Sequence, residues 1–204
     1  MSSALNLPNQ ITLARLGLSV VFFVLLSQYS QREPNPRLLD VAAAIFIVAA
    51  VSDFLDGYLA RKYGQVTALG RVLDPLVDKV LICGAFILLA GPQFTDADGH
   101  NVTGVRAWMV VVIVSRELLV TGLRGFNESM GKRFGASIHG KLKMWIQSTA
   151  APTILLLIAH ENWLGSATEW TKSTLVWLSV IITALSMIQY LFRSRYILEE
   201  SATP

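Results

Sequence analysis

Six long apolar segments restrict this chain to a narrow set of folds. They cover residues 11–27, 38–59, 73–90, 107–121, 144–159 and 175–192. A helix that crosses a bilayer needs roughly 20 mostly apolar residues, and these segments approach that length. Only 15% of the 204 residues are charged, against about 25% in soluble domains. We therefore predict an all-α integral membrane protein with six transmembrane helices, formed by residues 1–204 as a single domain.

The basic residues predict the orientation of these helices. With six spans, both termini lie on the same side of the membrane as the second and fourth connections. Of the 17 Lys and Arg residues, 13 fall on that side and 4 on the other. Cytoplasmic loops of membrane proteins are enriched in Lys and Arg. We therefore expect both termini and the stretch 53–78 to face the cytoplasm.

Four aspartates occur as two pairs where the second apolar segment ends and the third begins. Asp53 and Asp56 are three residues apart, and Asp74 and Asp78 are four residues apart. On a helix, each spacing puts both carboxylates on nearly the same face. The connection between the two helices is short, so we expect antiparallel neighbours that bring the pairs to one level.

Such a cluster of acids predicts a metal site. Two carboxylates about 5 Å apart repel each other by about 3 kcal/mol at an effective dielectric constant of 20, and divalent cations would relieve this repulsion. Oxygen ligands alone favour Mg²⁺ or Mn²⁺ over zinc. Ions of this kind commonly keep positions open for substrate phosphates, so we expect diphosphate chemistry.

The stretch 53–78 as a whole reads D-x2-D-G-x2-A-R-x8-G-x3-D-x3-D. This pattern resembles the signature of the CDP-alcohol phosphotransferase family at every specified position, and six spans resemble the family's topology. The resemblance implies a transmembrane catalytic domain that binds Mg²⁺ or Mn²⁺, with two ions expected. It assigns metal binding to Asp53, Asp56, Asp74 and Asp78, the role of general base to Asp78, and binding of the CDP-linked lipid to Asp53, Gly57, Ala60, Arg61 and Gly70.

A second group of residues concerns the acceptor alcohol. Arg116 and Arg124 are eight residues apart, near one face of the fourth segment, and Glu117 is placed to orient a neighbouring arginine. Lys141 and Lys143 bring two more cations to the same side of the membrane. Four cations around one pocket suit a doubly charged phosphate monoester.

Both stretches are similar to the bacterial branch of the family that makes phosphatidylglycerol phosphate. That branch has R-E-x5-L-R followed by G-K-x-K-T-x2-Q, and Met144 stands here in place of the threonine. The resemblance implies transfer of a phosphatidyl group from CDP-diacylglycerol to sn-glycerol 3-phosphate, with release of CMP. Arg116, Arg124, Lys141 and Lys143 would bind the acceptor phosphate. It also implies a homodimer in the bacterial inner membrane, surrounded by lipids, with its active site facing the cytoplasm and no nucleic-acid partner.

Three other functions are compatible with parts of the sequence. The first is that of an enzyme of the same family that uses another acceptor, such as inositol phosphate, serine or phosphatidylglycerol. A prenyltransferase would be expected to have a second Asp-rich motif, yet no Asp follows Asp98. A cation channel or transporter would fit six spans, but its acids would not all be expected at one membrane surface.

Overall fold

The computed structural model describes residues 7–62, 68–129, 138–163 and 165–202. Side chains are described for residues 9–53, 76–127 and 140–192, apart from positions 141, 162 and 164. Six α-helices account for nearly all of this. In chain order they are α1 (Leu7–Gln28), α2 (Pro36–Lys62), α3 (Ala68–Leu89), α4 (Ala107–Ser129), α5 (Ile138–Ala159) and α6 (Ala167–Ala202).

Each predicted apolar segment lies within one helix or overlaps most of it, and the described residues contain no named strand. The all-α prediction is therefore confirmed. The helices also include polar residues beyond the ends of the predicted apolar segments, most clearly in α4 and α6. Among the described residues, three segments are long and apolar enough to cross a membrane by length and composition: Asn9–Gln28, Leu142–Ala159 and Ala167–Phe192. The other three predicted spans contain more charge, and the count of six crossings stays a prediction.

Helix α1 lies against both α2 and α3, and it packs on each more extensively than they pack on each other in the described part of the chain. Helix α5 joins the two halves of the bundle, because it contacts α2 on one side and α6 on the other. Helix α4 packs chiefly on α6. One continuous apolar core runs through these contacts and includes Phe22, Phe46, Phe86 and Ile154. The packing sets the inward faces of all six helices around a shared interior.

The outward faces of the helices are apolar as well. Large hydrophobic side chains such as Val24, Val48, Val111 and Leu118 are about half exposed or more. Contiguous apolar surface of this extent is unusual for a soluble monomer, whereas a lipid environment would cover it. Together with the hydropathy of α1, α5 and α6, this surface identifies a membrane protein.

The end of the bundle away from the aspartate motif is closed by polar contacts. The Lys172 ammonium, 2% exposed, donates to the Val102 carbonyl oxygen at 2.8 Å and so fixes the α3–α4 connection to α6. His160 and Asp40 pair at 2.9 Å and join the end of α5 to the beginning of α2. The Tyr29 hydroxyl donates to Gln31, and burial, with a contribution from Glu161, raises the pKa of Tyr29 to about 12. These contacts hold the helix ends in place at this side.

Candidate active site

The acidic half of the site begins with a buried ion pair between α1 and α2. The guanidinium of Arg15 is 1% exposed and contacts the Asp53 carboxylate directly through Nη1. Asp53 itself is 30% exposed, so one side of its carboxylate is held by the bundle while the other stays accessible. A buried arginine lowers the stability of the fold unless it is paired. Asp53 therefore stabilises the buried Arg15, and Arg15 in turn orients the Asp53 carboxylate.

Asp78 belongs to α3 and lies within electrostatic range of Asp53. That the carboxylates of the two pairs meet at one level stays a prediction. Asp56 is in α2 and Asp74 in α3, but their side chains lie outside the described residues. Gly57, Ala60 and Arg61 of α2 and Gly70 of α3 likewise belong to helices, but their contacts and burial lie outside what the structure describes. Among the side chains that are described, no three acidic, His or Cys groups form a metal site.

The basic half of the site is a buried cluster between α4 and α5. The Arg116 Nη1 atom donates to Glu117 Oε1 at 3.0 Å, and Lys143 Nζ donates to the same oxygen. All three side chains are at most 7% exposed. The Glu117 carboxylate thus holds two cations together. Without it, the two cations would repel each other strongly in a medium of low dielectric constant. The predicted role of Glu117 in orienting an arginine is confirmed.

Helix α6 contributes two more residues to this cluster. Ser186 Oγ accepts a hydrogen bond from Arg116 Nη2 at 2.6 Å. The ring of Tyr190 lies 5.5 Å from the Arg116 guanidinium carbon, and its hydroxyl accepts from Arg124 Nη2 at 3.4 Å. Arg116, Arg124 and Lys143 are therefore brought together as predicted, whereas the side chain of Lys141 lies outside the described residues.

The two halves of the site act on the same group. The charges of Asp53, Lys143 and Glu117 all influence the Asp78 carboxyl. Asp78 thus interacts electrostatically with residues of both the acidic and the basic half.

Known proteins of one family resemble this chain. The chain matches the family model described as CDP-alcohol phosphatidyltransferase over residues 5–186. The chain belongs to this family. Membership confirms the resemblance found in the aspartate motif and identifies the chain as a CDP-alcohol phosphatidyltransferase, an enzyme class that acts in membranes.

Curated members of the family resemble this chain over most of their length. A CDP-diacylglycerol–glycerol-3-phosphate 3-phosphatidyltransferase of Bacillus subtilis is 37% identical over 192 residues, covering 91% of this chain and 93% of the relative. Proteins with the same name are similar at 34% identity in Haemophilus influenzae, covering 91% of each chain, and at 33% in Escherichia coli K12, covering 93% of this chain and 95% of the relative.

Three contacts of the site were not predicted from the sequence. In the sequence, Arg15 is one of the 13 basic residues that indicate the orientation of the helices, and Ser186 and Tyr190 belong to no motif. A signal for Arg15 was present, because Asn9, Thr12, Arg15 and Ser19 recur at helical spacing in an apolar segment, and all four are buried. Ser186 and Tyr190 are four residues apart and so share a face of α6, but nothing local indicates which helix that face contacts.

Proposed function

We propose that this phosphatidyltransferase transfers the phosphatidyl group of CDP-diacylglycerol to sn-glycerol 3-phosphate, releasing CMP and forming phosphatidylglycerol phosphate. The observation that carries the proposal is the similarity to curated relatives named for this reaction, at 31–37% identity over about nine-tenths of the chain. Met144, which replaces the threonine of the bacterial branch that makes phosphatidylglycerol phosphate, follows Lys143 directly in the chain. The cluster of cations still forms with methionine at this position.

The buried cations support a phosphorylated acceptor. Arg116, Arg124 and Lys143 carry three positive charges, against the two acidic groups Glu117 and Asp78, so this part of the pocket has a net positive charge. A phosphate monoester supplies the missing negative charge and several acceptor oxygens. Serine and other acceptors without a phosphate would leave these buried cations incompletely balanced.

The acidic residues fit a hard divalent cation. Asp53 and Asp78 influence each other electrostatically and supply only oxygen ligands, which is the donor set that Mg²⁺ and Mn²⁺ prefer. In the proposed site, Asp53, Asp56, Asp74 and Asp78 hold the ions, with Arg15 fixing the orientation of Asp53. When bound, the ions would neutralise charge on the diphosphate oxygens and on the departing CMP.

The proposed reaction needs one proton acceptor from the protein. The acceptor's hydroxyl oxygen forms a bond to the lipid-side phosphorus of CDP-diacylglycerol, while the bond from that phosphorus to the CMP oxygen breaks. Asp78 takes the hydroxyl proton as the attack proceeds. Arg116, Arg124, Lys141 and Lys143 hold the acceptor's phosphate, so that the hydroxyl is oriented toward the phosphorus. Positioning and charge stabilisation therefore supply most of the catalysis.

The proposed location is the bacterial inner membrane, with the active site facing the cytoplasm. The bias of 13 basic residues against 4 supports it. Arg15, Arg116 and Lys143 are buried and serve the site, yet removing them from the count leaves the bias in the same direction. We also propose a homodimer, as the family resemblance implies.

Release of CMP by the purified protein tests the function. With CDP-diacylglycerol, glycerol 3-phosphate and Mg²⁺ in detergent micelles, we expect steady CMP formation that EDTA abolishes and added Mg²⁺ restores. Asp78→Asn should lower the rate by a factor of 10² or more, a typical loss for a general base, while binding of CDP-diacylglycerol is largely kept. Wild-type turnover in this variant would exclude Asp78 as the base.

Parallel reactions separate the alternatives. Inositol phosphate, serine and phosphatidylglycerol should each support CMP release far less well than glycerol 3-phosphate, and a preference for one of them would replace the proposed acceptor. Cation flux through proteoliposomes without any CMP release would instead favour a channel or transporter.

A further inference from the structure

Helix α6 holds the arginines of the acceptor pocket from a position far from every sequence motif. We propose that Ser186, assisted by Tyr190, is a positioning residue for the acceptor phosphate and acts through Arg116. The inference rests on the proposed function in that it assumes an acceptor with a phosphate group. It adds helix α6 to the elements that determine acceptor binding. Ser186 is the last residue of the family match.

Arg116 is held by hydrogen bonds at both of its terminal nitrogen atoms. Its Nη1 atom bonds to Glu117 on its own helix at 3.0 Å, and its Nη2 atom bonds to Ser186 on α6 at 2.6 Å. These two hydrogen bonds, together with the attachment of the group to its own side chain, fix the orientation of the planar guanidinium. The Nε atom is buried and has no hydrogen-bond partner in the described part of the protein. A guanidinium has five N–H donors, so this arrangement fixes the group and leaves donors for a phosphate.

Ser186 differs from its buried neighbours on the same helix. Ser179 Oγ donates to the Leu175 carbonyl oxygen at 2.8 Å. Thr183 Oγ1 donates to the Ser179 carbonyl oxygen and also accepts from the neutral Gln147 amide of α5 at 2.9 Å. Such bonds to the preceding turn satisfy a hydroxyl within an apolar helix. Ser186 instead accepts a bond from a cation on another helix, 70 positions away in sequence. Its hydroxyl is therefore part of the contact between α6 and the acceptor pocket.

Tyr190 extends this contact by one helical turn. It is 3% exposed, and its ring faces the Arg116 guanidinium at 5.5 Å, within the range of a cation–π interaction. Its hydroxyl meets Arg124 at the long distance of 3.4 Å. One side chain thus contacts both arginines and keeps them on the same side of the pocket.

The expected consequence is specific to acceptor binding. Without the Ser186 hydroxyl, Nη2 of Arg116 loses a hydrogen bond, and the guanidinium is less ordered before the acceptor binds. Part of the binding free energy of the phosphate is then used to order Arg116, which weakens acceptor binding. The CDP-lipid half of the site, which depends on Asp53 and Asp78, contains no contact with Ser186 among the described side chains. The KM for the acceptor should therefore change while the KM for CDP-diacylglycerol does not.

Ser186→Ala and Ser179→Ala form a matched pair for the test. Both serines are fully buried, on one helix and two turns apart, and they differ in what their hydroxyls contact. We expect Ser186→Ala to raise the KM for glycerol 3-phosphate roughly fivefold, the size of an ordinary hydrogen bond, because the hydroxyl acts on the phosphate only through Arg116. Ser179→Ala should stay within about twofold of wild type. Ser186→Thr, which keeps the hydroxyl, should restore most of the affinity. Equal KM values for the two alanine variants would overturn the proposal.

Tyr190→Phe and Tyr29→Phe make a second pair, because both tyrosines are buried and each hydroxyl bonds to a side chain. Tyr190→Phe should raise the acceptor KM by about twofold, since the long bond is weak and the ring remains. Tyr190→Leu, which also removes the ring, should raise it roughly fivefold. Tyr29→Phe should leave it unchanged. An unchanged KM in Tyr190→Leu would remove Tyr190 from the proposal.

A binding measurement separates this inference from the proposed function. Inorganic phosphate should raise the melting temperature of the wild type and of Ser179→Ala more than that of Ser186→Ala. If the wild type released no CMP with glycerol 3-phosphate, the proposed reaction would fail, while the phosphate-dependent shift would still decide the role of Ser186. Equal shifts in both alanine variants would reject it.

Discussion

At the scale of single residues, the site depends on buried cations whose partners lie on other helices. Arg15 and Asp53 are 38 positions apart, and Lys143 and Glu117 are 26 apart. Each cation would be expensive inside an apolar bundle without its partner. These pairs therefore stabilise the fold and orient groups for chemistry at the same time.

We expect Arg15→Met to lower kcat/KM by roughly 10- to 100-fold, the cost of leaving the buried side of a carboxylate without its charged partner. Arg15→Lys should recover part of the loss, because it restores the charge with fewer donors. The measurement is CMP release at saturating Mg²⁺. Lys172→Met is the control, since Lys172 is an equally buried cation at the other end of the bundle. It should lower the melting temperature without a comparable loss of activity, and a similar fall in both variants would reduce Arg15 to a structural role.

At the scale of helices, the position of α1 determines whether the site forms. Helix α1 carries Arg15, and its neighbour α3 carries Asp78. The two helices approach closely at Gly84, where an added Cβ would lie 2.3 Å from the ring of Phe23. A glycine at this point allows the contact, and a larger side chain would push α1 away from α3.

Gly84→Leu should therefore destabilise the protein by about 1–3 kcal/mol, a typical cost of overpacking a helix contact, and should also lower activity. The matched control is Gly17→Leu on α1, because an added Cβ at Gly17 meets nothing within 4 Å. Thermal unfolding in detergent and CMP release measure the two effects. A Gly84→Leu protein as stable as Gly17→Leu would show that Phe23 moves aside and that the contact does not fix the helices.

At the scale of the whole molecule, the bundle has two chemically different ends. One end contains the acidic and basic clusters, and the other is closed by Lys172, the His160–Asp40 pair and the connection before α4. Trp163 and Trp170 are largely exposed near this second end, as expected for side chains at a membrane interface. The reaction we propose uses CDP-diacylglycerol and a charged acceptor, so the first end must face the compartment that supplies them.

Labelling of single cysteines tests this orientation. The chain has one cysteine, so Cys83→Ala provides the background. In right-side-out inner-membrane vesicles, a membrane-impermeant maleimide should label an Asp98→Cys variant at once and a Gln10→Cys variant only after permeabilisation. Both positions are exposed, and unmodified Cys83→Ala protein controls for background labelling. The opposite pattern would reverse the proposed topology.

The sequence by itself determined the helices and the acidic motif. Apolar runs of this length can satisfy their backbone hydrogen bonds in a membrane only as helices or closed barrels, and the spacing of the four aspartates places each pair on one helix face. The cations at 116, 124 and 143 could also be predicted as a group. Arg116 lies within an apolar segment, where charges are rare unless they have a function, and Arg124 and Lys143 lie just beyond the ends of the fourth and fifth apolar segments, on the same side of the membrane.

Only the tertiary structure decided which groups meet. Helical periodicity shows that Arg15, Ser186 and Tyr190 point to one side of their helices, but it carries no information about the neighbouring helix on that side. The packing of α1 between α2 and α3, and of α6 against α4, chooses those neighbours through contacts spread over the whole bundle. For this reason the contacts of Asp53 with Arg15, and of Arg116 with Ser186 and Tyr190, became known only from the folded arrangement.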